Sequence, residues 1–109
     1  MLRLGLVIVQ PGGRGVATVR VEREEETPRG WTYHLVTPGG TRHVLTLSFV
    51  DYEHWAGGRV PPSMVAEALA SYVAAERPEG LPGRFDASTA RRWLPGLDAH
   101  LRGATSARW

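Results

Sequence analysis

Asp51, Glu53 and His54 form the densest group of side chains in this sequence with general acid–base potential. Side chains in adjacent positions of a short helical turn diverge. Asp51 and His54, three apart, can therefore converge, while Glu53 cannot join them. The sequence sets no nucleophile, oxyanion loop or second carboxylate beside the pair, and Asp51 also stands where a helix cap belongs. An enzyme centred on Asp51 and His54 is thus the third reading of function. His34 and His43 flank one hairpin, but the register that gathers the apolar side chains sends them to opposite faces. No metal site is expected there. The pairs Gly12-Gly13, Gly39-Gly40 and Gly57-Gly58 lack the strand–glycines–helix context of a phosphate loop and read as turns. No cofactor is expected.

Arginine with aromatic neighbours is the second chemistry. Arg91-Arg92-Trp93 and Arg108-Trp109 combine guanidinium and ring faces that can stack on bases. All 13 basic residues are arginine, and the net charge is +2. With no lysine there is no Schiff-base or P-loop lysine. Residues 84–109 hold five arginines against two aspartates, a local net of +3, whereas residues 61–83 carry a local net of −2. That is a small charge beside the roughly 6–10 phosphate contacts of committed binders. A nucleic-acid binder using Arg91, Arg92 and Arg102, or Arg20 and His34 on the sheet, is therefore the alternative reading.

The elements that must position these groups follow from periodicity. At 109 residues and 42% hydrophobic, residues 1–103 suit one α+β domain, with 104–109 a frayed tail. Leu2, Leu4, Leu6 and Ile8 alternate, as do Ala17, Val19 and Val21, so a first hairpin turns at Pro11–Arg14. Glu24–Glu26 and Thr27–Gly30 read as a solvated connection. Trp31, Tyr33 and Leu35 then face Leu47, Leu45 and His43 across a Pro38–Gly40 loop, and Phe49 continues the fourth strand on the apolar side. The expected fold class is a four-stranded antiparallel sheet of two hairpins, followed by a long helix and a Pro-broken second helix on one face. Asp51 begins a short helical turn, Pro61–Ser63 starts the long helix, and Pro78 stops it. Asp86 caps the next helix, Phe85 staples it, and Pro95-Gly96 breaks it.

The stretch Ala75-Glu76-Arg77-Pro78, then Leu81, Arg84-Phe85-Asp86 and Arg92-Trp93-Leu94-Pro95, resembles a group of small uncharacterised prokaryotic proteins. Their helix ends in a Glu-Arg-Glu-Pro-like stretch, followed by Phe-Asp and Tyr-Phe-Pro motifs. The match spans roughly residues 68–101 and departs at Pro82 and at Ala74-Ala75. It implies a bacterial sheet-then-helices protein and carries no activity.

Absent cysteines exclude disulfides and thiolate chemistry, which fits a reducing compartment. The apolar run Leu4–Val9 is too short for a membrane span, so a cytoplasmic protein without membrane contact is the expectation. Val7, Val9, Val16 and Val44 make the second sheet face more apolar than exposure requires. The leading reading is therefore a non-catalytic interaction module that binds a protein partner, or itself as a homodimer, through that face.

Overall fold

The computed structural model describes residues 18–106. Among them the chain runs β1 (Arg20–Thr27), β2 (Gly30–Val36), β3 (Arg42–Ser48), α1 (Phe49–Trp55), α2 (Pro62–Glu76), β4 (Arg84–Asp86), α3 (Ala87–Trp93) and α4 (Leu97–Ser106). The architecture is α+β, with a four-stranded sheet and four helices. No helix among the described residues is long and apolar enough to cross a membrane.

The sheet departs from the expectation. Its order is β1-β2-β3-β4, with β1–β2 and β2–β3 antiparallel but β3–β4 parallel, so it is mixed. Arg84-Phe85-Asp86 is too short to show periodicity. It pairs with Val44–Thr46 because this places Phe85 beside Leu45, where both are buried. Three residues of pairing suffice when the central one enters the core.

The acidic run is a second correction. Glu24–Glu26 lie within β1, opposite Tyr33–Trp31, and the turn is only Pro28-Arg29. Among the described residues β1 is an outer strand of this sheet, where half-solvated positions accept carboxylates. Thr27 Oγ1 closes the turn by accepting from the backbone N–H of Gly30 at 3.1 Å. The hairpin of residues 2–23 cannot be compared, because its first strand lies outside the described residues.

The β2–β3 register is the one the apolar pattern requires: Trp31 faces Leu47, Tyr33 faces Leu45, His34 faces Val44 and Leu35 faces His43. Gly40, at φ 91°, supplies the left-handed position that closes the loop. Tyr33, Leu35, Leu45 and Leu47 are fully buried in one cluster with Trp55, Val65, Leu69, Val73, Leu97 and Leu101, and Trp31 packs against it. Phe49 is the exception. It opens α1 instead of ending the strand and is 39% exposed, with its ring edge-on to Trp31.

Helix boundaries shift for local reasons. Ser48, not Asp51, caps α1, its Oγ accepting from the Asp51 backbone N–H at 3.0 Å. Asp86 caps α3 as expected. Pro95-Gly96 separates α3 and α4 into distinct helices, and α4 continues past Gly103 to Ser106. Thr105, taken above as tail, is buried and donates from Oγ1 to the Trp55 carbonyl at 2.9 Å.

Among the described residues one buried side-chain polar atom is unpaired. No hydrogen-bond partner reaches the Tyr33 hydroxyl among the described residues. Burial, and then the facing Glu24 carboxylate, push its ionisation far above the ordinary phenol range. Removing an unpaired buried hydroxyl relieves its desolvation cost, so Tyr33→Phe is expected to raise unfolding stability by about 1 kcal/mol. A urea midpoint equal to or below wild type would contradict this.

Candidate functional site

The three segments that carried candidate chemistry meet at one guanidinium. Arg91, on α3, donates from Nε and Nη2 to the two carboxylate oxygens of Asp98 on α4, at 3.1 and 3.0 Å. Its Nη1 reaches Asp51 Oδ1 on α1 at 3.3 Å. Asp51 is 7% exposed, and this contact gives its buried carboxylate a charged partner. His54 Nε2 lies 2.8 Å from Arg102 Nη2 and 3.4 Å from Arg91 Nη2; both groups can only donate, so the ring nitrogen accepts. Trp55 Nε1 completes the group by donating to Asp98 Oδ1 at 2.8 Å.

Asp51 and His54 therefore converge on Arg91, not on each other. The guanidinium fills the position a substrate would need beside an acid–base pair. The arrangement ties α1, α3 and α4 together. Its hub, Asp98, went unseen in the sequence because it lies across the Pro95-Gly96 break from Arg91, where helical spacing carries no information.

Burial alone raises the Asp98 pKa. The hydrogen bonds from Trp55 and Arg91 and the charge of Arg91 outweigh that and hold it below the ordinary carboxylate value. A lowered folded-state pKa contributes stability that is complete above the unfolded value, about 4, and is lost as pH falls through the folded one. Asp98→Asn is thus expected to be less stable than wild type at pH 7 and to lose less stability between pH 5 and pH 2. Parallel acid-unfolding curves for the two proteins would contradict the assignment.

The other candidate residues are dispersed. Arg91 and Arg102 meet at His54, but Arg20 turns around the sheet edge to Glu67 of α2 at 3.6 Å, not onto the open face. His34 lies on that face beside Glu25 (3.5 Å) and Arg23 (3.3 Å). Arg92 is exposed on α3. No single surface gathers the five. His34 and His43 occupy opposite faces, and His43 bridges the Pro82 carbonyl and the Thr41 hydroxyl, holding the lead-in to β4.

Of the four valines, Val7, Val9 and Val16 lie outside the described residues. Val44 sits half-buried on the face away from the helices, with Thr32, His34 and Thr46 around it. None of these four belongs to the core cluster. Two of the arginines near them are paired, Arg42 with Glu22 at 2.6 Å and Arg23 with Glu25 at 2.6 Å, and Arg84 lies beside Val44 on β4.

Two features had no sequence signal. Ser71 Oγ of α2 accepts from the backbone N–H groups of Thr18 and Val19, and Glu67 Oε2 from that of Val21, so α2 side chains satisfy part of the β1 edge. A cleft of about 620 Å³ between α2 and α4 is lined by Met64, Ala68, Tyr72 and His100 among others, and Asp51, His54 and Arg91 are not among its walls. The described residues hold no cluster of three or more metal-ligating side chains. No family model, curated protein or solved structure matches the chain.

Proposed function

We propose that this chain is a non-catalytic interaction module that docks on a protein surface through its open sheet face. One observation carries the reading. The face has a centre of Val44, Thr32 and Thr46, with the Arg23–Glu25 and Arg42–Glu22 ion pairs towards β1 and Arg84 and Asp86 on the β4 side. A partner that meets Arg84 and Asp86 with opposite charges can cover such a surface without stranding a buried charge, the arrangement of an apolar centre within a polar rim.

Val44→Glu places a carboxylate at the middle of that centre, beside Arg84 of the same chain. It is expected to weaken association at least tenfold while leaving thermal unfolding within about 0.5 kcal/mol of wild type, because Val44 adds nothing to the core. The assay is sedimentation of the full chain, alone and with captured partners. Association untouched by Val44→Glu would overturn the reading.

The alternative, nucleic-acid binding, has weaker support. Arg20, Arg91 and Arg102 are each committed to a partner within the chain, and releasing them for phosphate would break those contacts.

We also propose that the chain is a divergent relative of the small prokaryotic proteins its C-terminal third resembles. In support, the motif residues act together: the Arg77 guanidinium lies 4.5 Å over the Trp93 ring, Phe85 packs 6.1 Å from that ring, and Asp86 caps α3.

A further inference from the structure

We propose that the occupant of the open sheet face is a second copy of this chain, stacked about a two-fold axis running across the strands between the His34 row and the Thr32 row. The inference rests on the interaction-module reading and adds the partner and the register.

Two cross-strand rows of side chains cover the open face. Arg23, His34, Val44 and Arg84 are successive neighbours across β1, β2, β3 and β4. Two residues along each strand, Glu25, Thr32, Thr46 and Asp86 form the next row on the same face. The first row is basic and the second acidic. The β1 irregularity falls between Val21 and Arg23, before both rows, and does not disturb them.

Identical sheets stacked face to face can be related by either of two in-plane two-folds. An axis along the strands lays each row on itself, bringing Arg23 over Arg84 of the second copy. An axis across the strands lays the basic row on the acidic one. Arg23, bonded to Glu25 of its own chain at 2.6 Å, then also meets Glu25 of the second copy, Arg84 meets Asp86, and Val44 meets Thr46, each contact occurring twice. Packed sheets cross at about 30°, which moves an outer strand by less than the roughly 7 Å between rows. The charge pattern selects the second axis. Asp86 is suited to this role because its bonds to Ser88 both use Oδ1.

Strands of 8, 7, 7 and 3 residues, spaced about 4.8 Å apart with about 3.3 Å per residue, give roughly 400 Å² per copy, so the dimer belongs to the small, weak class. It is to be sought at tens to hundreds of micromolar.

Sedimentation equilibrium of four samples tests the register: wild type, Arg23→Glu, Glu25→Arg, and an equimolar mixture of the two variants. Wild type is expected to self-associate, and each variant alone to do so about tenfold more weakly, since two attractive contacts become repulsive. The mixture is expected to recover dimer near the wild-type level, because 23 and 25 are again opposite in sign across the interface. Arg84→Glu, at the other side of the sheet, is expected to weaken the dimer similarly and keeps the test open should the β1 variants fold poorly. A mixture no better than its components overturns the register, although loss of self-association in Val44→Glu would still uphold the module reading. A strictly monomeric wild type overturns the second copy as occupant.

Discussion

Trp55→Ala is expected to lower the unfolding free energy by about 3–5 kcal/mol, a large share of the roughly 5–15 kcal/mol available to a domain of this size. Trp55 is fully buried at the end of α1, in the cluster that joins the sheet to α2 and α4. Its indole N–H donates to Asp98, and the Arg91 guanidinium lies 5.7 Å from its ring. Alanine leaves a cavity the size of two rings and removes one of the bonds that stabilise the Asp98 charge. Trp55→Phe keeps most of the volume and loses only the N–H donor, so a smaller cost of about 1–3 kcal/mol is expected. Urea unfolding of the two variants separates packing from hydrogen bonding. A cost below 1 kcal/mol for the alanine variant would show that Trp55 does not hold the helices to the sheet.

Gly30→Ala is expected to cost about 2–4 kcal/mol, by a different cause. A Cβ at Gly30 would lie 2.1 Å from the Leu47 carbonyl oxygen and 2.7 Å from Ser48 Cα. Both are backbone atoms, so no side chain can rotate away. β2 and β3 must separate next to the Trp31–Leu47 pair, where the core begins. The matched control is Gly39→Ala in the β2–β3 loop, whose nearest neighbour is the Thr37 hydroxyl at 3.9 Å. That change is expected to stay within about 0.5 kcal/mol. Equal effects at the two glycines would refute close backbone approach as the reason for Gly30.

The contrast between the hairpins explains how much of the fold was legible. The β2–β3 register could be read because Trp31, Tyr33, Leu45 and Leu47 alternate with polar residues, and a one-residue slip would bury His34. β4 could not be read. Its pairing is decided by the long-range burial of Phe85 beside Leu45, which no local pattern contains. Glu24–Glu26 were mistaken for a connection because charge usually marks solvent, whereas an outer strand tolerates it as well. Ser48 was overlooked as a cap because the strand was carried through Phe49.

Among the candidate site residues, Asp51 and His54 were identifiable by type and spacing, but their partner was not. Arg91 is 40 positions from Asp51 and 37 from His54. Its meaning changed accordingly, from a candidate phosphate contact to the centre of an ion-pair cluster. Val44 kept its place on the open face because that followed from the register alone.

On the proposed function, the molecule's working surface is the sheet face turned away from the helices. Backbone amide shifts recorded across a hundredfold dilution of the full chain test it most directly. The account predicts concentration-dependent shifts concentrated at Arg23, Thr32, His34, Val44, Thr46 and Arg84, with the α2–α4 cleft and the Arg91 cluster unchanged. Shifts confined to the cleft or to that cluster, with the sheet face silent, would contradict it.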